Sequence, residues 1–186
     1  MVGRCINRAP RKPSTLSFRM DVNTKIQLAT LDDAVAIGEM SEADIEYGLP
    51  WHWTPPRIVR AIENSSTNVA VARDQTGLVA FGIMKYADEL AHLLLFAVRE
   101  SRRRSGVGSA LLAWLEDVAR TAGITTIRAE ARADNSAARA FYQKHGYKEI
   151  SKVLGMYSGI EDGVCLEKEF FDSPRLGSNG ASRDGA

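Results

Sequence analysis

Residues 93–112, LLLFAVRESRRRSGVGSALL, constrain the fold of this 186-residue chain more than any other segment. An apolar strand there ends in a basic, glycine-bearing turn that leads directly into an amphipathic helix. A helix N-terminus presents unpaired N–H groups and the positive end of the helix dipole, and a pyrophosphate satisfies both. Gly106 and Gly108 let the backbone approach such a ligand, and three arginines from Arg102 to Arg104 add positive charge. The turn, with the pattern R-x-x-G-x-G, therefore predicts an anion-binding site.

This turn differs from the two better-known glycine loops. No third glycine follows Gly108 as the dinucleotide pattern G-x-G-x-x-G requires, and the chain contains no Gly-Lys-Ser or Gly-Lys-Thr. Taken alone, the residues could also form a tight surface turn with a solvated arginine cluster. A second motif further along the chain favours the anion site.

Length and composition fit one compact domain, in which 45% apolar residues can fill a core. No apolar stretch approaches the roughly 18 residues that a membrane-spanning helix requires, so we expect no membrane partner. Cys5 and Cys165 match no disulfide or metal spacing, and His52, His92 and His145 form no ligand pair. These features predict a protein without a metal in a reducing compartment, the cytoplasm.

The two ends of the chain differ in composition from the rest. Residues 1–20 have five basic residues, no acidic residue and two prolines, and residues 172–186 are rich in Gly, Ser, Asp and Arg. We interpret both as disordered tails around a domain at 21–171. The first segment could also be a transit peptide, or Met20 could be the true start. Without the tails, 17 basic residues stand against 21 acidic ones, and this net charge of −4 argues against nucleic-acid binding.

Between the tails, strand and helix signals alternate as in an α/β protein. Strands are predicted at 25–30, 68–73, 78–86, 89–99, 124–132, 148–156 and 163–170. Helices are predicted at 31–47, at 56–64, from the glycine turn to Gly123, and from Asn135 to His145. The third helix is expected to bury Val107, Leu111, Trp114 and Val118, which recur at helical spacing.

The fourth predicted helix carries the second motif. Asn135 is placed to cap this helix, and Asn135, Ala138 and Tyr142 share one face at i, i+3 and i+7. Ala138 is small enough to admit a ligand between the two larger side chains. Phe141 lies on a neighbouring face, where we expect it to pack in the core.

The two motifs together resemble the GNAT family of acyl-CoA-dependent N-acetyltransferases over residues 24–170. The resemblance rests on Val98 followed by R-x-x-G-x-G, and on Asn135-x-x-Ala138-x-x-x-Tyr142-x-x-x-Gly146-Tyr147. It implies an α/β (α+β) fold, a mixed sheet of six or seven strands that splays open between the fourth and fifth strands and is flanked by about four helices. Acetyl-CoA would lie in that opening. A monomer or homodimer is expected.

The resemblance also implies which residues hold the cosubstrate. The backbone of Phe96, Ala97 and Val98 would pair with the pantetheine arm, which Asn135 would also meet. The turn would bind the pyrophosphate through Arg103, Arg104, Ser105, Gly106, Val107, Gly108 and Ser109. Ala138 and Tyr142 complete the predicted site. Glu100 stands where family members often have proline.

Within the family, the pattern is most similar to the RimI-type enzymes, which acetylate the N-terminus of a ribosomal protein. Their E-V-R motif corresponds to Glu130-Ala131-Arg132, and Glu161-Asp162 matches the start of their E-D-A motif. Two positions depart from the pattern, because Met156-Tyr157 stands in place of paired tyrosines and Gly163 in place of the alanine. The resemblance implies a peptide or protein α-amino group as the acceptor.

The chemistry of acetyl transfer gives two side chains a role. An amine attacks a thioester only when unprotonated, and α-amino groups titrate at about 8 and lysines at about 10.4, so a base is useful at neutral pH. Glu130 is the candidate base, directly or through water. A phenol, with a pKa of about 10, suits protonation of the leaving thiolate, and Tyr142 is the candidate acid. The Val98 N–H could polarise the thioester carbonyl.

Simpler roles are also open to these residues. Tyr142 could be an ordinary amphipathic helix residue, and Glu130 a solvated, salt-bridging carboxylate. Trp51 and Trp53, in a loop at 48–54, are predicted with Tyr157 to contact the acceptor, but two indoles could equally form a lid over the core.

The sequence thus predicts an N-acetyltransferase that transfers acetyl from acetyl-CoA to a primary amine by direct attack in a ternary complex. Neither cysteine lies near the predicted site, so no covalent enzyme intermediate is expected. Two other functions are compatible with the motifs. One is acetylation of a small amine such as a polyamine, an amino acid or an antibiotic, and the other is CoA binding by a regulatory module without turnover.

Overall fold

The computed structural model describes residues 24–170, which form seven strands and four α-helices. The strands are β1 (Lys25–Leu28), β2 (Thr67–Asp74), β3 (Gly77–Ala87), β4 (Leu90–Val98), β5 (Thr126–Arg132), β6 (Lys148–Tyr157) and β7 (Glu161–Glu169). The helices are α1 (Ala34–Asp44), α2 (Pro55–Glu63), α3 (Val107–Thr121) and α4 (Ser136–Lys144). The tails predicted at 1–20 and 172–186 lie outside the described residues. Across residues 24–170, no helix has the length and apolar character that a membrane span needs.

All seven strands join one sheet in the order β1-β2-β3-β4-β5-β7-β6. β4 and β5 pair in parallel, whereas the other neighbours are antiparallel. Parallel neighbours need a crossover connection, and α3 provides it between β4 and β5. The N-terminus of α3 therefore follows the carboxyl end of β4 closely.

Helices cover both faces of the sheet, and each face has its own core. α3 lies on one face, where it buries Leu111, Leu112 and Leu115 completely. α1 and α2 lie on the other face, where Ile37 and Ile58 are fully buried. The sheet thus presents one surface to the α3–α4 layer and the opposite one to the α1–α2 layer.

A β-bulge interrupts β4 at its centre. Ile83 pairs with Leu95 and Met84 with Leu93, so Leu94 is the extra residue. The bulge reverses the side-chain alternation, because Leu93 belongs to the α3 core while Leu95, two residues later, belongs to the α1–α2 core. Even-numbered positions after the bulge, such as Phe96, therefore face α3 and α4.

The parallel pairing of β4 and β5 ends where this bulge lies. Leu93 and Ala129 form the last pair, and residues 94–98 have no partner strand on the β5 side. The predicted mixed sheet, open between its fourth and fifth strands and flanked by four helices, is confirmed.

Several element boundaries differ from the prediction. The first helix ends at Asp44, because the amides of both Ile45 and Glu46 turn back to the Ser41 carbonyl. β7 begins at Glu161, opposite Tyr157 of β6, rather than at residue 163.

The apolar face of α3 is wider than the predicted one. Val107, Leu111 and Val118 are buried as predicted, whereas Trp114 is only partly buried, at the border of the core. Leu112 and Leu115 are fully buried in addition, so the packed stripe extends to that side of the helix.

Candidate active site

The glycine turn and the first turn of α3 form an open cradle of backbone N–H groups. Gly106 caps α3 with a φ of 89°, a left-handed conformation that suits glycine. The first helical hydrogen bond runs from the Ala110 N–H to the Gly106 carbonyl, so the preceding amides have no helical acceptor. A Cβ at Gly108 would lie 3.1 Å from Val98 Cγ2 and 3.5 Å from Phe141 Cε2. Gly108 thus lets the helix start close to β4.

The three arginines before the cradle have different partners. Arg102 is tied to Asp74 of the β2–β3 hairpin at 2.6 Å. Arg103 donates to the Val98 carbonyl at 3.1 Å and to Asp44, at the end of α1, at 2.9 Å. Arg104 is exposed and has a positive φ of 62°. Arg103 therefore fixes the turn to β4 and α1, while Arg104 keeps its charge at the surface.

Asp44 and Ser105 complete the polar contacts around this turn. Partial burial raises the pKa of Asp44, and the nearby Arg103 acts in the opposite direction. The Ser105 hydroxyl donates to the Arg102 carbonyl at 2.6 Å, within the turn itself. Side chains of the turn thus hold its shape and leave the backbone amides of residues 107–109 to face outward.

The free edge of β4 offers backbone groups to the opening. The Arg99 N–H bonds the Val79 carbonyl, so Val98 and Ala80 form a pair that exchanges no hydrogen bonds. The N–H and C=O of Val98, and by the same alternation those of Phe96, point away from β3 and into the opening. Ala97 pairs with Phe81 and directs its backbone groups at β3. Of the three residues expected to pair with pantetheine, Phe96 and Val98 therefore direct their backbone groups into the opening, and Ala97 does not.

Asn135 and Ala138 shape the start of α4. The Asn135 Oδ1 accepts the Ala138 N–H at 2.9 Å, which caps the helix as the sequence predicts. This bond occupies the oxygen of the side chain and leaves its Nδ2 amide as the group that a ligand could reach. Ala138 packs at the border of the α3 core and is partly exposed.

Tyr142 lies one helical turn further, inside an aromatic cluster. Its ring packs edge-on against Phe141 and Tyr147, with centroids 5.5 and 5.4 Å away. Only 6% of Tyr142 is exposed, and this burial raises the pKa of its hydroxyl, with a further contribution from Tyr157. The phenol is therefore protonated at neutral pH and lies near a second tyrosine.

His145 connects the two motifs, a role that the sequence analysis missed. Its Nδ1 lies 2.7 Å from the Phe141 carbonyl and its Nε2 lies 3.0 Å from the Ser109 hydroxyl. The imidazole thus joins the end of α4 to the first turn of α3. Spacing along the chain gives no sign of this contact, because Ser109 and His145 are far apart in sequence.

Glu130 and Tyr157 lie on the α1–α2 face of the sheet, beside the opening. Glu130 sits one position beyond the last β4–β5 pair, and its side chain is 40% exposed. Burial raises the pKa of Tyr157, Glu130 raises it further, and Arg132 opposes both. Tyr157 also contributes to the raised pKa of Tyr142, so the three side chains lie within electrostatic range of one another.

A buried arginine fastens the loop after α1 to the sheet. Arg132 is 6% exposed and donates to the carbonyls of Ile45 and Tyr47, at 2.9 and 2.5 Å. It also bonds Glu161 at 3.0 Å and stacks on the Tyr47 ring. The E-A-R pattern contained this residue, but nothing in it indicated burial.

Glu46 organises the loop that carries the two tryptophans. Its carboxylate accepts the N–H groups of His52 and Trp53 at 2.8 and 3.0 Å, and the Ser41 hydroxyl at 3.1 Å. Trp53 packs against the α1–α2 core under Arg57, whereas Trp51 is 36% exposed. The two indoles therefore differ: Trp53 covers the core, and Trp51 is available at the surface. No sequence signal identified Glu46.

The β6–β7 turn lies on the other side of the opening from the loop after α1. Asp162 accepts the Gly155 N–H at 3.0 Å and pairs with Lys152 at 2.9 Å, and these two bonds lower its pKa. Gly155 and Gly159 have φ values of 61° and 71°, and the Gly159 N–H bonds the Gly155 carbonyl. The turn that presents Tyr157 is therefore held by its own hydrogen bonds.

The two motifs that the sequence singled out therefore border one opening of the sheet, the first at the start of α3 and the second at the start of α4. Residues 37–147 match the model of the acetyltransferase (GNAT) family, which is more than half of the chain. The chain therefore belongs to the GNAT acetyltransferase family, and the predicted family is confirmed.

Two groups of relatives are similar in sequence. The chain is 34% identical over 92 residues to the [ribosomal protein bS18]-alanine N-acetyltransferase of Escherichia coli (strain K12). That segment covers 48% of this chain and 62% of the relative, so the match spans about three fifths of the relative's length. The N-alpha-acetyltransferase of Saccharolobus solfataricus is 26% identical over 124 residues, which cover 66% of this chain and 71% of that protein.

Solved structures share the fold. Ard1 from Thermoplasma volcanium superposes with a TM-score of 0.71 at 25% identity, over 81% of this chain and 100% of that one. The PaiA N-acetyltransferase from Thermoplasma acidophilum, solved in complex with coenzyme A, gives 0.68 at 18% identity, over 80% of this chain and 100% of that one. At 18% identity, the likeness to the PaiA structure concerns the fold alone.

Proposed function

We propose that this protein transfers an acetyl group from acetyl-CoA to the α-amino group of a peptide or protein, by direct attack in a ternary complex. One observation carries the proposal: the opening between β4 and β5 has the α3 cradle at one end and Glu130 at the other, just beyond the last β4–β5 pair. A single ligand that lies along β4 can reach both ends. The reaction is proposed to occur in the cytoplasm, in line with the unmatched cysteine spacing.

Acetyl-CoA fits this opening in two respects. Gly106 gives the turn its left-handed conformation and Gly108 lets α3 start close to β4, so a pyrophosphate can meet the amides of Val107 to Ser109, and Arg104 supplies charge at the surface. The backbone of Phe96 and Val98 and the Asn135 amide suit the polar groups of pantetheine. When bound there, acetyl-CoA supplies an activated acyl group as a thioester.

The proposed chemistry uses side chains at the far end of the opening. Glu130 accepts a proton from the acceptor ammonium, directly or through water, because its carboxylate is half-exposed beside the opening. Tyr142 donates a proton to the leaving sulfur, since a phenol carries its proton at neutral pH. The Val98 N–H, directed into the opening, is placed to stabilise negative charge on the thioester oxygen.

The acceptor is proposed to enter between the loop after α1 and the β6–β7 turn. Trp51 and Tyr157 border this entrance, and Arg132 joins its two sides through Tyr47 and Glu161. The two named relatives, which act on a protein alanine and on N-alpha groups, support the proposed acceptor class.

A direct test is mass-resolved acetyl transfer to a mixed pool of N-terminal peptides, lysine peptides and small amines. Acetylated peptide α-amines support the proposal. Products confined to small amines would assign the protein to small-amine acetylation, the second function compatible with the motifs. Binding of acetyl-CoA without any product would favour a regulatory module.

A further inference from the structure

His92 is a titratable side chain that the mechanism above does not use. Its Nε2 lies 3.5 Å from Oε1 of Glu130, and the two side chains are 35% and 40% exposed. This separation is longer than an ordinary hydrogen bond, so the pair is not locked in a tight ion pair. Each of the two side chains therefore contacts the other and is also exposed to water.

The position of His92 in the sheet is specific. Its neighbours Ala91 and Leu93 belong to the α3 core, so its side chain lies on the α1–α2 face, as does that of Glu130. It precedes the bulge by two residues, next to the last β4–β5 pair. The imidazole thus lies at the closed end of the opening, immediately behind the candidate base.

We propose that His92 is a proton-relay residue that takes the proton released by the acceptor amine from Glu130 and passes it to solvent. This inference rests on the proposed acetyl transfer and extends it with a path for the proton. A carboxylate alone is a weak base for an ammonium, since carboxyl groups titrate several units lower. Imidazole accepts and releases protons close to neutral pH, so it can return Glu130 to its ionised form in every turnover.

The protons balance in this scheme. The acceptor R–NH3+ carries three protons on nitrogen and the product amide keeps one. The first proton goes to Glu130 and, through His92, to water. The amine nitrogen then bonds to the acetyl carbon as the C–S bond breaks, the sulfur takes the proton of Tyr142, and the second proton of the amine restores the phenol.

Other charged and titratable groups face the pair from three strands. Lys85 of β3 and Arg128 of β5 are the cross-strand neighbours of His92. Arg128 is itself paired with Glu167 of β7 at 2.7 Å. Tyr157 and Cys165 lie on the Glu130 side, since Cys165 is the β7 partner of Glu130 and both groups act on Tyr157. Lys85 and Arg128 are thus equally close in register to His92, and Lys85 is the one that Glu167 does not pair with.

The experiment compares pH profiles of turnover at saturating acetyl-CoA and peptide. We expect His92→Gln to lower kcat at neutral pH by about tenfold, less than the ~10²-fold or more of a primary base, and to change the acidic limb of the profile. His92→Ala should be rescued by added imidazole, with a rate that follows the basicity of a series of substituted imidazoles. If His92 had only a structural role, the turnover rate would not follow the basicity of the added imidazole.

Lys85→Gln is the matched control, because it removes the neighbouring charge and no proton carrier. It should leave the acidic limb of the profile as in the wild-type protein. A His92→Gln profile that superimposes on that of the wild type, with no imidazole rescue, would overturn the relay while leaving the acetyl transfer intact. Failure of the wild-type protein to acetylate any amine would overturn the proposed function, and the relay with it.

Discussion

Met156 occupies the space that a side chain at position 163 would need. A Cβ built on Gly163 would lie 3.0 Å from Met156 Cβ and closer still to its Sδ. Gly163 pairs with Arg132 of β5, so Met156 lies over the sheet face that carries Glu130 and Arg132. The two departures from the RimI-type pattern at positions 156 and 163 therefore form one structural unit.

Gly163→Ala should destabilise the protein by about 1–3 kcal/mol, because the added methyl group overpacks this contact. Met156→Ala alone should cost less, and the double variant should recover most of the loss. Urea unfolding of the four proteins measures the coupling. Additive effects of the two substitutions would contradict the contact.

Gly106 and Gly123 provide a matched pair at the two ends of α3. Both have left-handed φ values, 89° and 82°, and nothing lies within 4 Å of a Cβ on either. Alanine should therefore cost about 1–2 kcal/mol of backbone strain at both positions. We expect only Gly106→Ala to weaken acetyl-CoA binding, measured by calorimetry, since only its amides face the proposed pyrophosphate site. Equal affinities of the two variants would contradict the cradle.

Arg132 and Arg128 lie on the same strand and face but differ in burial. The Arg132 side chain is 7% exposed and the Arg128 side chain 52%. Arg132→Lys should lose the shared contacts to Ile45, Tyr47 and Glu161, lower stability by about 3 kcal/mol and raise KM for the acceptor. Arg128→Lys should change stability by less than about 1 kcal/mol. Denaturant unfolding measures the loss of stability in the two variants, and steady-state kinetics measures the change in KM. Similar losses of stability in both variants would show that the burial of Arg132 does not determine its contribution.

Tyr142→Phe tests the proposed acid. Removal of the hydroxyl should lower turnover by about 10²-fold or more while acetyl-CoA affinity is nearly unchanged. Tyr147→Phe is the control, because its ring belongs to the same cluster but its hydroxyl lies by Glu116, away from the opening. Unchanged turnover in Tyr142→Phe would rule out its role as the acid.

The β6–β7 turn should loosen in acid. The lowered pKa of Asp162 means that its ionised form is favoured in the folded protein, so its contribution is full above about 3.8 and is lost as pH falls through the lower folded-state value. Hydrogen exchange should show falling protection of the Gly155 amide below pH 4, and Asp162→Asn should abolish that dependence. The Ala138 amide, held by the neutral Asn135, is the internal control. Equal acid sensitivity of both amides would point to global unfolding instead.

Much of the fold followed from local patterns. The helix cap at Asn135 and the glycine start of α3 have sequence signals that extend over a few residues. Ala97 shows where this reasoning failed. Its place in the strand was predicted, but the direction of its backbone groups depends on the register with β3, which no local pattern records.

The sequence by itself determined the glycine turn and the capped helix that carry the two motifs, because helix caps, glycine turns and apolar periodicity depend on residues close in the chain. Through the resemblance that these motifs carry, it also predicted the family and the position of the opening. Tertiary structure alone decided the contacts of Glu46, Arg132, His145 and His92. Arg132, for example, bonds carbonyls 85 and 87 positions away. Burial of a charged side chain is stable only when distant backbone groups satisfy it, and those groups meet only when the sheet and the α1–α2 layer have packed.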